Sequence, residues 1–305
     1  MTEALKSNSS RTPAVSVVIA TYNRARFLPE TIESVLNQRF RDFELIVVDD
    51  GSTDETPQIL QAYGDRLRPF YQENRGPSAA RNLGIRHARG RWIAIQDSDD
   101  ICTADYLEVL FSFVDKNSNY GMVFANGAYL GGPAHNRETI IPLEKSRRLA
   151  ERGVRLVDLF EKSIVRLQAA LISKGSLEAI GGLDENIHIC MDLDLAFRLF
   201  MRYPVAYLDR VVFLYRKHGG NIGQDQERRL LENVRIIDKL VQQFPEVRGV
   251  LGQGQIARRT AYRYYRLAKG RWKSGNKLGA AEAIRKAASL CPFSLKYRLY
   301  QLRWA

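Results

Sequence analysis

The chain has 305 residues, of which 45% are hydrophobic, so it can bury the core of one large domain or of a domain of about 200 residues with an appendage. Its three cysteines are far apart and no apolar run approaches the roughly 18 residues of a membrane span, which argues against a disulfide scaffold, a cysteine metal site and an integral membrane protein. The formal net charge is +12, and the whole excess lies in residues 226–305, where 18 basic residues outnumber 5 acidic ones. The scattered cysteines predict reduced thiols and a cytoplasmic protein. The uneven charge predicts a domain boundary near residue 225.

The first hundred residues alternate between predicted strands and helices. The polar segment 1–13 lacks an apolar core and is expected to be a disordered tail, not a signal peptide. Ser52 and Glu55 have the spacing of a capping box at the start of the second helix. This alternation implies an α/β fold with a parallel sheet and right-handed crossovers. The strands are predicted at 15–20, 43–49, 69–71 and 91–96, and the helices from 28, from 52 toward 63, and at 77–88.

The alternation loosens after residue 100. We predict a loop without periodicity at 131–146, and in the basic segment 226–305 we predict four helices, of which the middle pair resembles a helical hairpin. Helices are predicted at 105–113, 154–164, 175–182, 192–202, 230–244, 254–272, 277–290 and 294–304, and strands at 121–130, 168–172 and 205–215.

Polar residues follow three of the predicted strands, at 21–24, 49–52 and 97–100. The last group, Asp97-Ser98-Asp99-Asp100, contains three carboxylates that repel one another, so it needs a positive partner such as a divalent metal that bridges a nucleotide diphosphate. A solvated turn that caps the next helix is the alternative. Because ligands of open α/β sheets bind beyond the carboxyl ends of the strands, we expect the three groups to form one site, which favours the metal.

The segment 14–100 resembles family 2 glycosyltransferases of the GT-A fold. Four stretches carry the resemblance in the right order: VSVVIATYNR, FELIVVDDGSTD, ENRGPSAARNLGI and IAIQDSDD. The resemblance continues more weakly to about Asn221. It implies a Rossmann-like, mostly parallel sheet flanked by helices, divided into a nucleotide-sugar half, 14–100, and an acceptor half, 101–225. The basic segment 226–305 is then a helical extension.

The resemblance also implies which residues bind the nucleotide-sugar. Tyr22 offers a ring face to the nucleobase, Arg24 approaches the phosphates, and Asp50 contacts the base or the ribose, although Asp49 and Asp50 could instead cap the turn at Gly51. Arg81 lies near a helix start that suits an anion, with a structural salt bridge as the alternative. The implied binding residues are Ala20, Thr21, Tyr22, Arg24, Asp50, Arg81, Asp97 and Ser98.

A divalent metal, Mg²⁺ or Mn²⁺, is the cofactor that the resemblance implies. Asp97, Ser98 and Asp99 match the family's D-x-D motif, in which one carboxylate contacts the ribose and one the metal. Whether Asp99 or Asp100 is the direct ligand stays open. His218 lies in a segment where related sequences often carry a histidine, and it either reaches the metal or the diphosphate or is structural.

Asp192 occupies the place of the family's general base. On the predicted helix it shares a face with apolar residues at i+3, i+4 and i+7, so it is expected to point into the interior or a cleft. A carboxylate in a first helical turn is also favoured by the helix dipole alone. Asp194 is expected to point elsewhere and to serve as a surface control. Met191 stands where the family usually has a glutamate, which suggests that the acceptor is handled differently.

The sequence thus predicts an inverting glycosyltransferase that uses a UDP-sugar to build a surface polysaccharide or glycolipid, with a glycan or a lipid-linked acceptor. A non-catalytic sugar-nucleotide-binding scaffold and a nucleotidyltransferase are the alternatives. The basic segment 226–305 is either a solvated face or a docking surface for an anionic membrane, which would place the protein at the inner face of the cell membrane. No nucleic-acid partner is expected, since no recognised module appears.

Overall fold

The computed structural model describes residues 12–131, 138–161 and 163–304. Residues 1–11 of the predicted disordered tail 1–13, and residues 132–137 of the predicted loop at 131–146, therefore lie outside the described residues. The strands are Val15–Thr21 (β1), Phe43–Asp49 (β2), Arg68–Tyr71 (β3), Trp92–Asp97 (β4), Ile101–Cys102 (β5), Met122–Tyr129 (β6), Ala170–Ser173 (β7) and Val205–Tyr215 (β8). The helices are Leu28–Leu36 (α1), Thr56–Ala62 (α2), Pro77–His87 (α3), Tyr106–Val114 (α4), Leu143–Arg152 (α5), Leu156–Glu161 (α6), Lys174–Ala179 (α7), Met191–Phe200 (α8), Gln226–Gln243 (α9), Val247–Leu251 (α10), Gln253–Lys273 (α11), Lys277–Leu290 (α12) and Leu295–Trp304 (α13).

The chain divides into two compact units. The first comprises the described parts of Met1–Val154, Ile164–His188 and Arg202–Lys217, and the second those of Arg155–Ser163, Ile189–Met201 and His218–Ala305. The second unit therefore joins the basic segment to two stretches from within the predicted domain 14–225. The functional boundaries predicted at residues 13, 100 and 225 remain predictions.

The first unit is built on one eight-stranded sheet with the order β3-β2-β1-β4-β7-β6-β8-β5. Strands β1 to β4 pair in parallel, as do β6 and β8, whereas β7 is antiparallel to β4 and β6, and β5 is antiparallel to β8. This arrangement confirms the predicted α/β class, with a mostly parallel sheet flanked by helices and a helical C-terminal segment.

The central strands are buried on both faces, as their apolar runs predict. Val15, Val17, Val18 and Ile19 of β1 are all fully buried, because helices cover a parallel sheet on both sides. Helix α3 approaches this sheet very closely: a Cβ on Gly84 would come within 2.4 Å of Val18 Cγ1. The small residue therefore sets the distance between α3 and β1, and α3 carries Arg81.

Two local predictions are wrong. Ser52 does not cap α2: the first helical residue is Thr56, whose N–H donates to Asp54 Oδ1 at 3.0 Å, while Ser52 Oγ accepts from Asn23 N at 2.9 Å. The predicted loop at 131–146 ends in the helix α5, whose Leu149 is fully buried. A short amphipathic helix preceded by Pro142 gave too little apolar periodicity to be recognised.

The second unit is helical, and α11 and α12 form the predicted hairpin, with Gly275 at φ 85° in the turn between them. Small buried residues allow the two helices to pack closely, and aromatic rings close the end of the core, where Trp272 and Trp304 stack with centroids 5.0 Å apart. The core residues include Ala261, Ala268, Ala283, Ile284 and Ala287. In the described part of the chain, no helix has the length and apolar character needed to cross a membrane.

Candidate functional site

The three polar strand exits meet at one edge of the sheet in the first unit. The parallel register places Thr21 beside Asp49 and Ala20 beside Asp97. Asn23, which has a positive φ of 51°, locks two exits together, since its side-chain oxygen accepts from Thr53 N at 2.8 Å. Its Cβ makes this backbone conformation unfavourable, so its interlocking role explains a residue that the sequence did not single out.

Three carboxylates gather at the exit of β4. Ligand oxygens of Asp97, Asp99 and Asp100 all lie within 4.8 Å of one another. Arg81 Nη2 donates to Asp97 Oδ1 at 2.5 Å, and Arg24 Nε donates to Asp99 Oδ2 at 3.3 Å. The predicted anion-binding arginines therefore lie next to the acidic cluster that they partly neutralise.

Asp100 is the most enclosed member of the cluster and is fully buried. Burial, and next the negative charge of Asp97, raises the pKa of its carboxyl group to about 8, against hydrogen bonds from Arg216 and Gln168 that lower it. Arg216 N donates to its Oδ1 at 2.8 Å and Gln168 Nε2 to its Oδ2 at 3.0 Å. Because both oxygens accept hydrogen bonds from the protein, Asp100 joins β4 to the chain beyond β8.

Sequence reasoning missed Gln168 and Arg216. Gln168 Nε2 also donates to Asp97 Oδ2 at 2.6 Å, so one amide bridges two of the carboxylates. Arg216 Nε donates to the carbonyl oxygen of Asp99 at 3.0 Å. Both residues reach the site through the pairing of β7 with β4 and of β8 with β5, which periodicity in the sequence does not reveal.

The acidic cluster fits a divalent cation. Its donor atoms are all carboxylate oxygens, the ligands that hard cations such as Mg²⁺ and Mn²⁺ prefer. The ionised form of a carboxylate whose pKa is raised by burial and by acidic neighbours, as at Asp100, is stabilised by an added positive charge. Asp97 and Asp99, with side chains 28% and 13% exposed, are the members open to a ligand.

Asp50 organises the loop that leads into α3. It is buried, and its carboxylate accepts hydrogen bonds from Gln72 Nε2 at 2.6 Å, Arg75 N at 2.9 Å and Gly76 N at 2.8 Å. Asp49 caps its own turn through Ser52 N at 2.9 Å. The predicted contact of Asp50 with the base or ribose stays a prediction, and its observed role is to hold the segment that precedes Arg81.

The first strand exit offers both a buried hydroxyl and an exposed ring. Thr21 is 2% exposed, and within the described ranges its Oγ1 has no hydrogen-bond partner. Tyr22 is 43% exposed. Ala20 is half-buried and Ser98 is buried. A hydroxyl without a partner is unfavourable when buried, which is consistent with a polar ligand at this exit.

Asp192 lies in the second unit, in the first turn of α8. It is half-buried, and its Oδ1 accepts from Leu193 N at 2.9 Å. The expectation for Asp194 is wrong: Asp194 is 2% exposed and pairs with Arg198 Nη2 at 2.5 Å and with Lys239 Nζ at 2.9 Å. Helix α9 packs against α8 and supplies Lys239, so Asp194 is a buried structural residue and cannot serve as a surface control.

A glutamate from α9 closes the start of α8. Glu232 Oε2 accepts from Ile189 N and from Cys190 N, both at 2.9 Å. Burial, with the negative charges of Asp192 and Glu232, raises the pKa of the Cys190 thiol to about 12, so this cysteine is an unreactive packing residue. Met191, at the position of the usual glutamate, is 8% exposed.

His218 also lies in the second unit, where its ring contacts its own loop. Gly220 N donates to Nδ1 at 3.1 Å, and Asn221 Nδ2 lies 3.2 Å from Nε2. These contacts favour the structural alternative, and the predicted role at the metal or diphosphate remains untested.

The family model described as glycosyl transferase family 2 matches residues 16–181 of the chain. The putative glycosyltransferase EpsH of Bacillus subtilis is 31% identical over 239 residues, which cover 73% of this chain and 66% of EpsH. An uncharacterized glycosyltransferase of Rickettsia typhi is 30% identical over 203 residues, which cover 66% of this chain and 63% of that protein. The chain thus spans about two-thirds of the length of these relatives.

Two solved glycosyltransferase structures share the fold. The structure of S. aureus TarS 1–349 has a TM-score of 0.64 at 18% identity and covers 95% of this chain and 88% of its own; TarS has also been solved with UDP-GlcNAc. The mannosyltransferase PcManGT from Pyrobaculum calidifontis, solved with GDP-Man and Mn²⁺, has a TM-score of 0.63 at 19% identity and covers 97% of this chain and 85% of its own.

Proposed function

The chain belongs to glycosyl transferase family 2, and we propose that it transfers a sugar from a UDP-sugar to an acceptor hydroxyl with inversion at the anomeric carbon. The observation that carries this proposal is the group of Asp97, Asp99 and Asp100 beside Arg24 and Arg81 at the carboxyl edge of the sheet. Paired carboxylates and arginines suit a metal–diphosphate group, and the fold neighbours solved with UDP-GlcNAc and GDP-Man support a nucleotide-sugar donor.

In this proposal Asp99 is the direct metal ligand and Asp100 positions it. Asp100 is fully buried with both oxygens engaged, whereas Asp99 keeps an exposed fraction. Asp97 would contact the ribose, and Ser98 follows it in the chain. A bound Mg²⁺ or Mn²⁺ would offset the charge that grows on the leaving diphosphate.

The nucleoside is proposed to bind at the exit of β1. The exposed ring of Tyr22 gives a stacking face, and Ala20 with the buried hydroxyl of Thr21 lines the base. Asp50 would act mainly by holding the loop 72–76, so that α3 presents Arg81 to the phosphates.

We assign the general base to Asp192, which would accept the proton of the acceptor hydroxyl as its oxygen attacks the anomeric carbon. Asp192 lies in the first turn of α8, whose start is held by Glu232 through the N–H groups of Ile189 and Cys190. Met191 is buried where the family usually has a glutamate. For this reason a non-catalytic scaffold that binds sugar nucleotides is the second candidate function.

The test is hydrolysis and transfer with a panel of UDP-sugars in Mn²⁺, comparing the parent, Asp192→Asn and Glu246→Gln. Glu246 is an exposed acid of the second unit, so its variant is the matched control. We expect Asp192→Asn to lower turnover by about 10²-fold or more at unchanged UDP affinity, and Glu246→Gln to match the parent. Equal turnover of Asp192→Asn would refute the assignment. Metal-dependent UDP binding by a parent that turns over no donor would favour the scaffold.

We further propose that the C-terminal helix docks on an anionic membrane, where a lipid-linked acceptor of polysaccharide or glycolipid synthesis would be found. Leu295, Leu299 and Leu302 are 71%, 57% and 79% exposed and recur at helical spacing along α13. Phe293, just before the helix, is 96% exposed. The basic residues Lys296, Arg298 and Arg303 alternate with these apolar side chains, and exposed apolar groups beside basic ones suit an anionic membrane surface.

A further inference from the structure

The second unit contains a buried positive charge that pairs with no carboxylate in the described part of the chain. Arg263 of α11 is 7% exposed. Its Nη1 donates to the carbonyl oxygen of Arg259 at 3.3 Å, and its Nη2 to Asn233 Oδ1 at 3.2 Å. Both acceptors are neutral, and among the described residues no carboxylate forms an ion pair with Arg263. A buried guanidinium without a counter-charge is unfavourable. A bound anion at this position would remove that cost.

A second arginine lies one turn earlier on the same helix. Arg259 is half-buried, and within the described ranges its buried Nε has no hydrogen-bond partner. Burial, and then the neighbouring positive charge of Arg259, lowers the pKa of Arg263 to about 10. The two guanidinium groups thus lie close enough to repel each other. They are held together without a compensating anion from the described chain.

Asn233 connects this pair to the backbone of a third arginine, Arg229. Its amide accepts from Arg263, while its Nδ2 donates to the carbonyl oxygen of Arg229 at 2.7 Å and lies 3.1 Å from Cys190 Sγ. The charges of Arg229 and Arg263 both act on the Cys190 thiol. Arg229 is half-buried, and its guanidinium has no ion pair to any side chain that the structure describes.

Asp192 and Glu232 act electrostatically on Cys190, and Glu161 acts on Arg259, but among the described residues none of these acids forms an ion pair with Arg229, Arg259 or Arg263. Glu232 binds the backbone N–H groups of Ile189 and Cys190 and pairs with Arg228 Nε at 3.3 Å. The positive charges of the three arginines are therefore not neutralised by ion pairs within the described residues, and an anionic ligand could neutralise them.

We propose that Arg229, Arg259 and Arg263 form an anion site for a phosphate group, and that this phosphate belongs to the acceptor. Guanidinium groups match the oxygens of a phosphate through forked, charge-assisted hydrogen bonds. The assignment to the acceptor rests on the proposed function: the site borders Cys190, two residues before the proposed base Asp192, whereas the donor diphosphate is assigned to the acidic cluster of the first unit. The acceptor would then be a phosphate-bearing glycan or lipid.

The site is tested by thermal unfolding of the full chain in EDTA with inorganic phosphate, against chloride at equal ionic strength. We expect a saturable rise of the parent's Tm by a few degrees, because a ligand stabilises the state that binds it. Arg263→Met should lose this rise. A folded Arg263→Met that keeps the full phosphate effect would overturn the site, as would the absence of a phosphate effect on the parent.

Three further variants make this result specific. Arg266→Met changes an exposed arginine of the same helix and should keep the full phosphate effect. Asp99→Asn alters the proposed donor site and should also keep it, which separates this site from the donor diphosphate. Arg259→Gln, at a half-buried position, should weaken phosphate binding at least tenfold even if Arg263→Met does not fold. An unchanged phosphate affinity in Arg259→Gln would contradict the site.

The source of the phosphate is tested by kinetics once a donor and an acceptor are in hand. Phosphate should compete with the acceptor and leave the donor KM unchanged, and Arg259→Gln should raise the acceptor KM about tenfold. Competition with the donor would overturn the assignment to the acceptor. If no donor is turned over, the proposed function fails, while the unfolding experiment still decides whether the anion site exists.

Discussion

At the scale of single residues, Gln168 is the contact that shapes the acidic cluster. One amide group donates to Asp97 at 2.6 Å and to Asp100 at 3.0 Å. A neutral donor shared by two carboxylates reduces their repulsion without adding a charge that would compete with a metal. We infer that Gln168 fixes the separation of these oxygens before the metal arrives.

Replacing Gln168 by leucine should weaken metal-dependent binding. Without the bridging amide, the buried Asp100 loses a hydrogen bond, which costs about 1–3 kcal/mol, and Asp97 loses one of the contacts that orient it. We expect the Mn²⁺ concentration needed for half-maximal UDP binding to rise about tenfold, measured by titration calorimetry. Gln61→Leu, at an exposed position of α2, is the control. An unchanged Mn²⁺ dependence in Gln168→Leu would show that the amide has no positioning role.

Most residues of this cluster were predictable, whereas their supports were not. Asp97, Asp99, Asp100, Arg24 and Arg81 belong to motifs that follow strands or begin a helix, and local sequence reveals such positions. Gln168 and Arg216 arrive from strands paired across long stretches of chain, and Asp194 was misplaced because its partner Lys239 comes from a different helix. Contacts of this kind depend on tertiary packing and leave no periodic signal.

At the scale of secondary structure elements, Glu44 ties the parallel strands together at the end of the sheet opposite the site. Its Oε1 accepts from Ser16 Oγ at 2.7 Å and from Arg89 N at 2.6 Å, and its Oε2 pairs with Arg68 Nη1 at 2.5 Å. One carboxylate of β2 therefore joins β1, β3 and the segment before β4. Burial raises the pKa of Glu44, but the hydrogen bonds from Ser16, Arg89 and Arg68 outweigh burial, and the pKa is lowered overall.

This lowered pKa makes part of the stability depend on pH. Since the folded state holds the Glu44 proton less tightly than the unfolded state, the stabilisation is complete above the ordinary pKa of about 4.3. It is lost as the pH falls through the lower folded value. We expect Glu44→Gln to destabilise the protein at pH 7 by about 1–2 kcal/mol, and the gap from the parent to close below about pH 4, measured by urea unfolding. Glu108→Gln, at an exposed position of α4, should show no such gap at either pH.

The strands were the most predictable elements. β2 and β8 have the predicted bounds and β1 differs at one end by a single residue. In β1 and β2 this is because a run of buried apolar residues begins and ends sharply. Helix starts were less predictable. Ser52 and Glu55 have the spacing of a capping box, but the Ser52 hydroxyl oxygen accepts a hydrogen bond from the backbone N–H of Asn23 instead. Such a hydrogen bond depends on which loop lies beside the helix start, and this is known only from the folded structure.

At the scale of the whole molecule, charge and exposed apolar surface coincide in the C-terminal segment. We expect the parent to co-sediment with vesicles that contain anionic lipid and not with neutral vesicles, and the binding to weaken with salt. Changing Leu295, Leu299 and Leu302 together to serine should reduce the bound fraction several-fold. Val250→Ser, which alters a residue 68% exposed on α10, is the control. Equal binding by the triple variant would refute docking through α13, and dimerisation by the parent that the triple variant loses would assign the face to a second copy.

The chain passes between its two units five times, and this constrains how the protein can be divided or recombined. Removing 226–305 would take Lys239 from Asp194 and Glu232 from the start of α8, so the helix that carries Asp192 would lose its partners. No single cut or gene fusion point yields two intact units. We expect chimeras with related proteins to fold only when 155–163, 189–201 and 218–305 are exchanged together. The helical unit cannot be transferred as one continuous segment, because its three parts are interleaved with the first unit along the chain.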